Sequence, residues 1–117
     1  MGTFVEVAQG TMINAVRTDC AFISLHTDDP STTGANEVTG GSPAYARKAC
    51  TFNAYAATVS ALNADVTLDV PACTVKYVGY WTLATGGVFQ GSDPVENETF
   101  NAQGEYKVLA AGTTLSV

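Results

Sequence analysis

Two periodicities divide the chain. Up to residue 17 the apolar positions Phe4, Val7, Ala8, Met12, Ala15 and Val16 recur at spacings of three and four, which puts one stripe on one helix face. Thr3 and Glu6 stand three apart ahead of it, the spacing of a capping box. The pattern predicts one short helix over about residues 4–17, with Gly10 inside it costing about 1 kcal/mol relative to Ala. Beyond Asp19 the apolar residues come in short runs rich in Val, Ile, Tyr, Phe and Thr, and strands are predicted near 20–26, 44–53, 58–62, 65–70, 73–83, 88–90 and 105–110, with 115–117 at a sheet edge. In the longest run strict alternation places Val75, Tyr77, Gly79, Trp81 and Leu83 on one face and Lys76, Val78, Tyr80 and Thr82 on the other. Ala84-Thr85-Gly86-Gly87 and Asn101-Ala102-Gln103-Gly104 read as turns. Residues 27–43, with Asp28-Asp29-Pro30, Gly34 and Gly40-Gly41, form a long loop.

These elements predict a mainly β fold: one antiparallel β-sandwich or jelly-roll-like domain over residues 1–117, with one short N-terminal α-helix. Phe22, Leu25, Tyr77 and Trp81 are the expected structural core. The loop, poor in apolar residues, is expected to be dispensable for that core and free to dock on a neighbour. Its candidate interface residues are Thr32, Thr33, Gly34, Asn36, Glu37 and Val38.

Composition narrows the function classes. At 117 residues there is room for one domain, and 46% hydrophobic against 14% charged residues excludes a disordered chain. The net charge of −6 and the five scattered bases Arg17, Arg47, Lys48, Lys76 and Lys107 argue against a nucleic-acid partner. No apolar run reaches the ~20 residues of a membrane helix, and no basic-then-apolar leader opens the sequence. Cys20, Cys50 and Cys73 lack zinc spacing and are odd in number, so they read as buried apolar thiols of a protein folded in a reducing cytoplasm.

Candidate chemistry is sparse. His26 is the single histidine, beside Ser24, Thr27, Asp28 and Asp29, but no nucleophile-elbow sequence accompanies it, and a strand-end hydrogen bond to a loop carbonyl is the expected role. Asp28, Asp29, Asn36 and Glu37 carry oxygen ligands suited to a hard cation, without EF-hand spacing. Trp81 with Tyr77 and Tyr80 offers either a sugar-stacking platform or ordinary core. No catalytic residue, cofactor or metal is expected, and the protein is not expected to be an enzyme.

One long stretch carries a resemblance. Leu25-His26-Thr27-Asp28-Asp29-Pro30, followed by Thr32-Thr33-Gly34-Ala35-Asn36-Glu37-Val38-Thr39-Gly40-Gly41-Ser42-Pro43-Ala44-Tyr45-Ala46-Arg47-Lys48, resembles a family of small tailed-bacteriophage proteins encoded among virion genes. Its members go under the names tail-fibre, minor tail or minor capsid protein. The strand Val78-Gly79-Tyr80-Trp81 leading to Ala84-Thr85-Gly86-Gly87 is similar to a second, weaker family feature. Asp28 stands where a small residue is more usual, and Cys50 and Cys73 where apolar or small ones are. The resemblance implies a virion structural protein and no catalytic residues. Together with acidity and size it leads to the expectation of a capsid decoration or cement protein on the outer head surface. Such a protein would bind the major capsid protein and copies of itself, as a homo-oligomer such as a trimer. The alternative is a tail or fibre module that contacts the host surface.

Overall fold

A computed structural model of the chain describes residues 5–57 and 59–115. Helix α1 (Glu6–Val16) is followed by eight strands: β1 (Phe22–His26), β2 (Lys48–Ala49), β3 (Ser60–Ala61), β4 (Val66–Val70), β5 (Cys73–Trp81), β6 (Phe89–Phe100), β7 (Gly104–Val108) and β8 (Thr114–Leu115). The fold is mainly β with antiparallel pairing throughout and one short helix, as the periodicities predict. None of the described helices is long and apolar enough to cross a membrane.

The principal sheet has the order β2-β1-β5-β6, and two ribbons, β3-β8 and β4-β7, accompany it. The main core gathers Ile23 and Leu25 from β1 and Val75, Val78 and Tyr80 from β5 against Leu68, Val70 and Val108 of the β4-β7 ribbon, with Phe52 and Leu62 beside them. Phe52 meets Tyr80 edge to face at 5.5 Å between ring centroids.

Strict alternation along β5 does not hold. The β5-β6 register shifts between Val75 and Tyr77, with Lys76 facing the extra residues of β6. Across this irregularity the two-residue alternation of β5 is interrupted: Val75 joins Val78 and Tyr80 in the main core, while Gly79 and Trp81 face the other way. Of the expected core, Leu25 and Trp81 are buried, whereas Tyr77 and Phe22 are half-buried. Leu83, beyond the strand, is exposed.

The N-terminal helix also departs from expectation. Val5 occupies the N-cap without a side-chain hydrogen bond, and Thr3 and Phe4 lie outside the described residues. Gly10 and Ile13 are buried, whereas Val7, Ala15 and Val16 of the expected stripe are exposed. Gly10 allows a close approach: a Cβ there would stand 2.9 Å from Cδ2 of Tyr55. The strand expected over 44–53 contracts to Lys48–Ala49. That near 58–62 contracts to Ser60–Ala61, with Thr58 outside the described residues. That near 88–90 opens the twelve-residue β6. Leu115 lies in β8, and residues 116–117 lie outside the description.

Candidate functional site

The principal sheet has a second face, and the 27–47 segment closes it. Ser24 and His26 are two apart on β1, so both side chains project to the side opposite Ile23 and Leu25. Across the strand pair they stand opposite Gly79 and Tyr77, and Phe22 stands opposite Trp81. Gly79 leaves the room they occupy: a Cβ there would lie 2.5 Å from Ser24 Oγ and 2.6 Å from His26 Nε2.

A directional hydrogen-bond chain runs through this face. Trp81 Nε1–H donates to Ser24 Oγ at 2.9 Å, Ser24 Oγ lies 2.7 Å from His26 Nε2, and His26 Nδ1 lies 2.8 Å from the Ala35 carbonyl. A carbonyl only accepts, so Nδ1 carries the proton. Nε2 of the neutral ring then accepts from the Ser24 hydroxyl. Each member uses its capacity, and no buried side-chain polar atom among the described residues is orphaned. Burial holds the His26 pKa below its ordinary value, outweighing the Ala35 bond and Glu37, which favour the imidazolium; Arg47 opposes it.

The second clasp is charged. Arg47 donates from Nε to Glu37 Oε2 and from Nη2 to Glu37 Oε1, both at 3.0 Å, a bidentate pair. Its Nη1 reaches the carbonyls of Leu83 at 3.0 Å and Gly86 at 2.9 Å, so one side chain joins the loop to the β5-β6 hairpin. The guanidinium carbon lies 3.6 Å from the centroid of the Trp81 ring. Tyr45 Oη donates to Glu37 Oε2 at 2.7 Å and accepts from the Leu25 amide at 3.0 Å. Burial and the neighbouring carboxylate raise the Tyr45 pKa, keeping the phenol a donor. Residues 36–38 run along the end of β1, with Thr27 N donating to Asn36 O and Val38 N to Leu25 O. Gln103, in the β6-β7 turn, accepts from Ser42 N and donates to Pro43 O.

The loop is therefore a folded layer, contrary to the expectation that the core is complete without it. Pro30 is fully buried, Gly34 is buried against Trp81, and Val38 is part of the main core. Among the candidate interface residues only Thr32, Thr33 and Asn36 are exposed; Glu37 is half-buried and committed to Arg47 and Tyr45. The cation-ligand residues do not converge. Asp28 Oδ1 accepts from the Asp29 amide, Asp29 Oδ1 from the Ser31 amide, and Asn36 Nδ2 donates to the Asp29 carbonyl, all turn-forming bonds. No metal-type cluster of His, Cys, Asp or Glu occurs among the described residues.

The Ser24–His26 pair has the spacing of a nucleophile and base, but both residues are 0% exposed, and the histidine is oriented by a carbonyl rather than a carboxylate. Trp81 is likewise core, 8% exposed, with Phe89 edge-on at 5.1 Å. The three cysteines are free thiols, and burial raises Cys20 to about 11 and Cys50 to about 12, which keeps them protonated. A cleft of about 310 Å³ opens between residues 37–47 and 84–86, but the charges on its wall, Glu37 and Arg47, are spent on each other. Sequence reading placed Ser24 beside His26 without pairing the two, and gave Tyr45, Arg47 and Gly79 no part in a site. The signals were present: Ser24 and His26 at i and i+2 on a strand, and Tyr45-Ala46-Arg47 at the end of the long motif.

No curated protein and no solved structure shows a significant match to the chain. The family model described as podophage GP4 fiber I protein gp80 matches residues 6–116, and the chain belongs to that family.

Proposed function

We propose that the protein is a non-catalytic structural module of a tailed-phage virion, mounted in a fibre of the tail apparatus. The observation that carries this reading is the match over residues 6–116 to a family described as a fibre protein. Capsid decoration, the leading expectation from sequence, draws no support from that match, and the tail alternative fits it better. The polar residues fit a structural role, since the Ser–His pair is closed to solvent and the Arg47–Glu37 pair ties loop to hairpin. The partners proposed are neighbouring fibre components and further copies of this chain, with the exposed Thr32, Thr33 and Asn36 as contact candidates.

Quantitative mass spectrometry of purified virions, combined with immunogold labelling, tests the location. A handful of copies with label confined to the tail region is expected. Hundreds of copies with label around the head would overturn the fibre reading and restore decoration.

A further inference from the structure

Two of the three thiols meet at one place, and the third lies far from both. Cys20, just ahead of β1, is tied to the end of helix α1 by its amide, which donates to the Val16 carbonyl at 3.2 Å. Cys50 directly follows β2. Its Sγ–H donates to the Cys20 carbonyl at 3.3 Å, and its amide donates to the Ala21 carbonyl at 2.9 Å. The Cα–C and C=O bond lengths then hold Cys50 Sγ within about 6 Å of Cys20 Cα. Both side chains lie on the same side of the sheet. In a regular strand the N–H and C=O of one residue point to the same neighbour, but Ala21 gives its N–H to Trp81 of β5 and its carbonyl to Cys50. The alternation is interrupted there. Cys20 is accordingly buried in the main core, and Cys50 packs against that core. Cys73 opens the nine-residue β5 and Trp81 closes it, roughly 26 Å away; it is the Trp81 end that Ala21 meets.

We infer that Cys20 and Cys50 are a latent disulfide, closed by thiol–disulfide exchange when the folded chain passes from a reducing compartment to one holding a low-molecular-weight disulfide such as oxidised glutathione. The half-buried Cys50 reacts first. Its thiolate attacks one sulfur of the small disulfide, forms a mixed disulfide and releases the other sulfur as a thiolate. The Cys20 thiolate then attacks Cys50 Sγ and releases the second small thiol. The two protons of the protein thiols end on the two leaving thiols, and the small disulfide is reduced by two electrons as the pair is oxidised. Burial pushes Cys20 up to about 11 and Cys50 up to about 12, so little thiolate exists at neutral pH and closure is slow. The bond would act where the principal sheet is thinnest. β2 is a two-residue edge strand held to β1 by the pairs Phe22–Ala49 and Ile23–Lys48. The bond fastens the end of β2 to the root of β1 and closes a covalent ring around the 27–47 layer.

The reduced full-length protein, incubated in its native state with oxidised glutathione, tests this. Remaining thiols are blocked by alkylation, and the unreduced protein is digested with trypsin and Asp-N peptidase for mass spectrometry. Cleavage ahead of Asp65 separates Cys50 from Cys73. The Cys20 and Cys50 peptides should appear joined. Cys73→Ser, which keeps the pair alone, should lose two hydrogens in intact mass and retain no glutathione. Its thermal transition should rise by roughly 10 °C on oxidation, and a reductant should reverse the rise. If Cys73→Ser fails to fold, the peptide map of the wild type decides alone. Cys20 and Cys50 both still alkylated after prolonged incubation, glutathione held on Cys50 without closure, a bond from Cys73 in place of the pair, or a bond that leaves the melt unchanged would each overturn the inference. The readout is on the purified chain, so it can fail without touching the fibre reading, which the copy count decides.

Discussion

Arg47 lays its guanidinium 3.6 Å from the centroid of the Trp81 ring while both ends of its fork are occupied, by Glu37 on one side and the Leu83 and Gly86 carbonyls on the other. The stacking shields one ring face, and Gly34 lies close to the indole, where any side chain would strike it. Loop, strand and hairpin thus meet on one indole. Arg47→Ala strands a half-buried Glu37 carboxylate and uncovers the ring; breaking such a pair costs about 3–5 kcal/mol when fully buried, and the partial exposure of Glu37 reduces this to about 2–3 kcal/mol. Arg47→Lys should recover only a minor part, because an ammonium makes neither the fork nor the stack. Urea denaturation of the three proteins checks both statements.

The Ser24–His26–Ala35 chain makes stability pH-dependent. Burial lowers the folded-state pKa of His26, so the unfolded chain takes up that proton first as pH falls. The contribution is complete above the unfolded value of about 6.5 and is lost progressively below it. In the imidazolium, Nε2–H would face Ser24 Oγ, whose own proton would then have no acceptor. Denaturation midpoints measured from about pH 7.5 down to about pH 5 should fall for the wild type and stay flatter for His26→Gln, which hydrogen-bonds without titrating in that range. Parallel curves for the two proteins would refute this account of His26.

What the sequence made legible follows from where burial imposes a period. β1 and the Val78–Trp81 part of β5 are buried on both faces, so their apolar runs stood out. β6 did not, because it is an edge strand. From Asp93 to Thr99 it is largely exposed, with Pro94 and the acids Asp93, Glu96 and Glu98 in its length, the residues that discourage an edge from pairing further. The bulge opposite Lys76 was invisible to alternation. The loop misled for another reason. Its order rests on the burial of Pro30 and on individual contacts of Gly34, Glu37, Tyr45 and Arg47, and a composition rich in Gly, Thr and Asp does not announce such contacts.

Glycines of equal backbone geometry should respond unequally. Gly34 and Gly86 both adopt positive φ, 77° and 63°. A Cβ at Gly34 would lie 2.3 Å from Cζ2 and 2.6 Å from Cη2 of Trp81, whereas at Gly86 it meets nothing within 4 Å. Gly86→Ala should therefore cost about 1 kcal/mol, the backbone penalty alone. Gly34→Ala adds overpacking of about 1–3 kcal/mol. Thermal melts should show the larger drop for Gly34→Ala, and near-ultraviolet circular dichroism should show a disturbed Trp81 environment in that variant alone.

The loop gives the most direct comparison between docking and folding. If residues 31–41 served only a neighbour, a Gly/Ser linker of the same length would leave a folded domain. The structure requires the opposite. The replacement deletes Val38 from the core, where burying such a side chain stabilises by about 1.5–3 kcal/mol. It also removes Glu37, leaving Arg47 unpaired and the Tyr45 hydroxyl without its acceptor, and it loosens the backbone at Ala35 that accepts from His26. Further losses of about 1–3 kcal/mol at each orphaned buried group bring the sum close to the 5–15 kcal/mol total stability of an ordinary domain. The linker variant should therefore be largely unfolded, with a lost or strongly broadened thermal transition. Thr32→Ala combined with Thr33→Ala touches only exposed positions and should shift stability by no more than about 0.5 kcal/mol. That double variant is the probe that separates contact from folding: if it melts like the wild type but fails to incorporate into virions, the loop apex makes an assembly contact, and if it incorporates normally, the apex makes none.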